Sequence, residues 1–159
     1  ARRRSASGSA IASLHPGRKP FETIELAYGP QVLWPDHCVQ GSRGAEFHAA
    51  LAVHQAQAVI RKGYHAHTDS YSAFLEADRR THTGLAGLLR ERGVATVYLA
   101  GLALDFCVAW SALDARLAGF DAIVIEDACR AIDTGGSLAA AQRAFADAGV
   151  RRVTSDALG

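Results

Sequence analysis

Three short stretches of this chain carry side chains able to do chemistry, and the richest surrounds Cys107. The segment Ala95-Thr-Val-Tyr-Leu-Ala-Gly-Leu-Ala-Leu-Asp-Phe-Cys107-Val-Ala-Trp-Ser-Ala-Leu-Asp-Ala-Arg-Leu-Ala-Gly119 reads as an apolar strand, a glycine-bearing turn, and a cysteine opening an amphipathic helix. A helix start carries partial positive charge and backbone N–H groups. Both favour a thiolate, and both suit the oxyanion formed when a carbonyl is attacked. A free cysteine is also commonly a small buried apolar residue, so this segment alone leaves nucleophile and core residue both open.

The second stretch is Arg61-Lys62-Gly63, closing an apolar run from Gln57 to Ile60, followed by the polar and aromatic loop Asp69-Ser70-Tyr71-Ser72-Ala73-Phe74. An ammonium a few Å from a sulfur favours the ionised thiolate; a solvated charge at a strand end is the other reading of Lys62. The third stretch, Leu33-Trp34-Pro35-Asp36-His37-Cys38-Val39-Gln40-Gly41, gathers a flat aromatic, a rigid proline, an imidazole and a thiol. It suits a pocket for a planar ring, with Trp34 as the stacking face and His37 as hydrogen-bonding group or metal ligand.

In this order the three stretches resemble the nicotinamidases of the isochorismatase-like cysteine hydrolase superfamily. Trp34-Pro-Asp-His-Cys-Val-Gln-Gly matches the family's Trp-Pro-x-His-Cys motif, Arg61-Lys-Gly with Asp69-Ser-Tyr-Ser-Ala-Phe its catalytic-lysine segment, and Gly101-Leu-Ala-Leu-Asp-Phe-Cys107-Val its nucleophile segment. Pro20-Phe-Glu-Thr-Ile, Gly44-Ala-Glu-Phe-His and Gly149-Val-Arg-Arg-Val-Thr-Ser extend the likeness from about Ala12 to the C-terminus. One such motif would be weak; three in sequence are specific.

The resemblance implies roles position by position. Cys107 is the nucleophile that attacks the amide carbonyl of nicotinamide, releasing ammonia and leaving an acyl-enzyme that water converts to nicotinate, a reaction of NAD salvage. Lys62 is the second member of the triad. A cis peptide falls at Leu102 to Ala103, and the backbone N–H groups of Ala103 and Cys107 form the oxyanion hole. Trp34 and Tyr71 line the pyridine ring. His37 is one ligand of the family's divalent metal, whether zinc, iron or manganese, which holds the ring nitrogen directly or through water.

The chain also departs from the family. Nicotinamidases open with a hydrophobic strand ending in the triad aspartate, and a second strand ends in Asp-x-His, two further metal ligands. Here the opening is Ala1-Arg-Arg-Arg-Ser-Ala-Ser-Gly-Ser-Ala-Ile-Ala-Ser, and alignment on Ala12-Ser13 puts the Asp-x-His positions at about Arg2 and Arg4. Guanidinium groups are permanently charged and repel a divalent ion, which sets the metal expectation against the residues present. The absent strand is internal in the family's sheet, and unmet buried backbone groups cost about 1 to 3 kcal/mol each. These departures predict that Ala1 is not the natural start, that residues 1–11 form a disordered, solvated, non-family terminus, and that 12–159 form one N-terminally truncated hydrolase domain. The alternative function is a catalytically incompetent truncated fragment or pseudoenzyme of the same superfamily. Another amide or ester hydrolase of the superfamily is disfavoured by the Trp-Pro-Asp-His-Cys motif.

Composition agrees with a soluble enzyme. The 159 residues, 49% hydrophobic and 21% charged, support one domain with a real core. A formal net charge of +1 from 17 basic and 16 acidic residues indicates no nucleic-acid partner. Apolar runs are too short for a membrane span and no signal peptide opens the chain. Three cysteines without framework spacing predict reduced thiols and a cytoplasmic setting, with Cys38 and Cys129 as bystanders. The expected partner is the small-molecule substrate; a homo-oligomer is left open. His65 and His67 form an His-x-His pair, read as solvated or hydrogen-bonded rather than metal-binding, and His15, His48, His54 and His82 show no spacing signal.

Positioning these residues requires alternating elements. Ala58 to Arg61, Val94 to Ala100 and Ala122 to Glu126 read as strands; Thr83 to Arg92, Phe106 to Ala118 and Leu138 to Ala148 read as helices, with Gly93, Gly119 and Gly149 at their C-termini. The predicted class is α/β, a three-layer open parallel sheet with helices on both faces, with catalytic residues at the carboxyl ends of strands. The stretch from His15 to Gly44 reads as a long functional loop.

Overall fold

The computed structural model describes residues 14–65 and 67–158, so the expectations for Arg2, Arg4 and the terminus at 1–11 lie outside the described residues. The chain forms two compact units. One holds the described residues through Ser70 together with Glu76–Thr81; the other holds Tyr71–Leu75 and the described residues from His82 onward.

In the first unit, β1 (Thr23–Leu26) and β2 (Gly29–Val32) form an antiparallel hairpin, with Thr23 opposite Val32 and Leu26 opposite Gly29. The stretch expected as a continuous loop from His15 to Gly44 therefore contains a hairpin. Its four-residue strands are too short to show a firm alternation in the sequence. Single 3-10 turns follow at Arg43–Ala45 and Val53–Gln55. The strand expected at 58–61 is not formed: these residues are exposed and irregular. A strand exists only with a ladder partner, and none of the described strands pairs with this run.

The second unit is a parallel sheet with helices, and the α/β class stands. Strands β3 (Thr96–Leu102), β4 (Asp121–Arg130) and β5 (Arg151–Val153) lie in the order β3-β4-β5, with β3 and β5 each parallel to β4. Helix α1 (Leu85–Glu91) precedes β3, α2 (Ala109–Leu117) joins β3 to β4, and α3 (Ser137–Ala148) joins β4 to β5. Consecutive residues Ala122, Ile123 and Val124 of β4 are all buried, the mark of a strand covered on both faces. Ala122 and Val124 join a core with Val108, Ala112 and Ala115, with Ala141 and Phe145 of α3, and with Phe74 and Phe120. The small alanines of α2 and the 138, 141, 145, 148 spacing on α3 let both helices pack closely on that core.

The far edge of β3 has no strand partner among the described residues; Tyr98 and Leu102 are exposed. An apolar cavity of about 410 Å3 lies beside it, lined by Phe74, Leu85, Leu89, Val97, Leu99 and Leu102 together with Cys107 and Ser111.

In the first unit, Asp78 closes a turn by accepting from the Thr81 hydroxyl at 2.6 Å, Thr81 N–H at 2.9 Å and Arg80 N–H at 3.0 Å. The Thr81 hydroxyl first, then these amides, hold its carboxyl down at about 2. A depressed carboxylate contributes stability above its ordinary range and loses it as pH falls through the folded value. Thr81→Val should therefore raise the Asp78 midpoint towards an ordinary carboxylate in an NMR titration; an unchanged midpoint contradicts this account.

Candidate active site

Strand β3 ends in an irregularity that sets up the turn carrying Cys107. Its register against β4 shifts between Leu99 and Gly101, and Gly101 takes φ of 120°, a conformation open to glycine and costly for other residues. The Leu102–Ala103 peptide is cis, at the predicted position. From there the chain makes a wide helical turn, Leu104–Val108, closed by Val108 N–H donating to Ala103 O at 3.0 Å, before α2 begins at Ala109. Cys107 was expected to open the helix; it stands instead within this π-type turn, just before α2. Phe106 N–H also donates to Ala103 O at 3.1 Å, so one carbonyl gathers two turn amides.

Two polar side chains fasten this turn. Ser111 Oγ donates to Cys107 O at 2.6 Å and accepts from Ala73 N–H at 2.8 Å. Asp105, only 6% exposed, accepts from Ile132 N–H at 3.0 Å, Asp133 N–H at 2.8 Å and Ser137 Oγ at 2.6 Å. Both residues stood unassigned within the nucleophile segment. The available signals were a carboxylate in an otherwise apolar run and a hydroxyl four residues after the cysteine, one helical turn on. Tyr71 lies in the same unit, its ring 6.0 Å from Phe106 and 5.8 Å from Trp110. Ala103, Cys107 and Tyr71 thus share the second unit.

Trp34, His37 and Lys62 belong to the first. Trp34 is buried, with Phe21 against it edge-on at 6.0 Å. Lys62 Nζ donates to Ser70 O at 2.5 Å. The loop bearing that carbonyl is anchored by the hairpin: Gln31 Nε2 of β2 donates to Asp69 Oδ2 at 2.6 Å, and Tyr28 OH donates to Gln31 Oε1 at 3.2 Å and accepts from Asp69 N–H at 3.3 Å. Gln31 and Asp69 are both almost fully buried, which makes their pairing obligatory. Burial pushes the Tyr28 hydroxyl above its ordinary value, partly opposed by the Asp69 amide.

His37 is exposed, and its Nδ1 donates to Pro35 O at 2.7 Å, leaving Nε2 as the nitrogen with a lone pair for a cation. Zinc-type sites need three or four protein ligands. Among the described residues no group of three His, Cys, Asp or Glu side chains is placed to hold an ion, so those residues alone do not complete a cage. His65 Nδ1 pairs with the buried Glu76 at 3.0 Å. Cys38 is exposed. Burial pushes the Cys129 thiol up, and the Glu126 and Asp127 carboxylates add to this against the Gly101 amide and Arg130. Among the described residues no helix is long and apolar enough to cross a membrane.

With this geometry in view, the comparisons with known proteins converge. The Isochorismatase domain model matches residues 11–157. The nicotinamidase of Acinetobacter baylyi is 59% identical over 145 residues, 91% of this chain and 68% of that protein. The nicotinamidase of Escherichia coli is 41% identical over 128 residues, 80% of this chain and 60% of that protein. A solved nicotinamidase/pyrazinamidase of Acinetobacter baumanii superposes with a TM-score of 0.92 at 58% identity, covering 96% of this chain and 73% of that one. A pyrazinamidase of Pyrococcus horikoshii solved with zinc superposes at 0.65, with 33% identity over 76% of this chain and 63% of that one. The chain belongs to the isochorismatase family, and within it to the nicotinamidase branch.

Ser111→Ala removes the acceptor of the Ala73 amide and the donor to Cys107 O together. Urea unfolding should show a loss of about 1 to 3 kcal/mol, the cost of an orphaned amide in a mostly buried site; a change under about 0.5 kcal/mol contradicts the fastening role.

Proposed function

We propose that this protein hydrolyses nicotinamide to nicotinate and ammonia through an acyl-enzyme on Cys107, a step of NAD salvage. The observation that carries this reading is the placement of Cys107 in a braced turn at the carboxyl end of a parallel strand, where open α/β sheets build their sites. Relatives named as nicotinamidases at 59% and 41% identity supply the substrate.

In the proposed mechanism, the Cys107 thiolate attacks the amide carbon, and the carbonyl oxygen becomes an oxyanion facing the N–H groups of Ala103 and Cys107. Lys62, an ammonium that favours the thiolate, gives a proton to the departing nitrogen, so ammonia leaves as the C–N bond breaks and the thioester forms. Water then adds to the thioester and gives its proton back to Lys62, nicotinate leaves, and the thiolate and ammonium are restored. Trp34 and Tyr71 flank the pyridine ring. His37 is offered as one ligand of a divalent metal; no step is assigned to that ion, because the described residues do not complete its coordination.

Coupled-enzyme ammonia detection with nicotinamide tests this directly. The unmodified protein should release ammonia and form nicotinate. Cys107→Ala should abolish release, and Lys62→Ala should lower kcat by about a hundredfold or more, the usual weight of a positioned acid–base group. A folded protein that binds nicotinamide without releasing ammonia would support the incompetent-homologue reading instead.

A further inference from the structure

Asp105 lies two residues before the proposed nucleophile and is held by donors of the protein itself. It is 6% exposed, and three donors to it come from one stretch, residues 132–137, between β4 and α3. That stretch is itself held in an unusual shape. Asp133 has φ of 53°, a left-handed conformation that is costly for a non-glycine residue, and its N–H is one of the donors to Asp105. The third donor is also oriented, because Ser137 Oγ accepts from Thr134 N–H at 3.0 Å. Burial pushes the Asp105 carboxyl up, but the Ser137 hydroxyl and the Ile132 and Asp133 amides outweigh it and hold the group below the ordinary carboxylate range. Its three matched donors suit it to be a fixed strut between two loops.

We propose that Asp105 is a positioning residue for acyl transfer: its carboxylate ties the Leu104–Val108 turn to residues 132–137, and so holds the Ala103 and Cys107 N–H groups where the oxyanion forms. The inference rests on the nucleophilic role of Cys107. It concerns the amides of the turn and not the reactivity of the sulfur. Asparagine in place of Asp105 keeps the shape but presents an NH2 to at least one of three donors, so the strut loosens. Alkylation of a thiol by iodoacetamide is displacement at a saturated carbon and needs no oxyanion hole, whereas amide hydrolysis does.

The two reactions therefore separate the outcomes. In Asp105→Asn, kcat for nicotinamide should fall about tenfold or more while KM stays within about twofold, the pattern of lost transition-state positioning. Iodoacetamide alkylation of Cys107, followed by peptide mass mapping because Cys38 is exposed, should stay within about twofold of the unmodified protein at each pH. Ser137→Ala should lower kcat severalfold, and Ser137→Thr, which keeps the hydroxyl, should restore it. Unchanged kcat in both Asp105→Asn and Ser137→Ala overturns the proposal, as does a parallel fall in hydrolysis and alkylation, which marks a general collapse of the turn. If Asp105→Asn does not fold, the Ser137→Ala and Ser137→Thr pair decides. An unmodified protein inert towards nicotinamide removes the hydrolase reading, and this one with it.

Discussion

The chain must leave β3 and enter α2 while holding Cys107 at a fixed place, and a single carbonyl makes this possible. Ala103 O accepts from both Phe106 and Val108, closing a turn wider than an ordinary helix start. Wide turns of this kind leave room for backbone amides to face outward, and they hold shape only when neighbouring structure braces them. Here bracing comes from two sides: Ser111 grips the Cys107 carbonyl from within α2, and Asp105 grips residues 132–137 beyond β4. The core under the turn, from Val108 and Ala112 to Phe145, is alanine-rich and close-packed, so motion of the turn has little slack to use.

The first unit follows a similar logic with different parts. A short hairpin is marginal alone, yet this one carries Gln31 into the interior, where its amide meets the Asp69 carboxylate. That contact fixes the loop whose Ser70 carbonyl receives the Lys62 ammonium. A lysine on a flexible stem thereby gains a defined position from a residue 31 places earlier, through hydrogen bonds and not through its own strand.

The elements most legible in the sequence were those with local causes. The helices at α1 and α3 announce themselves by leucine, alanine and phenylalanine spacing and by the glycines after them, and β4 by its unbroken apolar run. Elements that depend on distant partners were not legible. The apolar run at 58–61 has strand composition but no described partner to pair with, and it stays irregular. The hairpin of β1 and β2 was hidden because four-residue strands show too little alternation. Among the candidate residues, the types of Cys107, Lys62, Trp34, His37 and Tyr71 are conspicuous because their chemistry is distinctive at those spacings. Asp105 and Ser111 are less legible, since most of their partners, the Ala73, Ile132 and Asp133 amides and the Ser137 hydroxyl, lie far away in sequence.

In the proposed reaction the Cys107 sulfur forms a covalent bond to the substrate's acyl group. Rapid acid quenching during turnover of nicotinamide, followed by peptide mass spectrometry, tests it most directly. A nicotinoyl group on the peptide containing Cys107, appearing within the first turnover and vanishing as substrate is exhausted, is the predicted result. Steady nicotinate formation with the acyl group on another residue would contradict it.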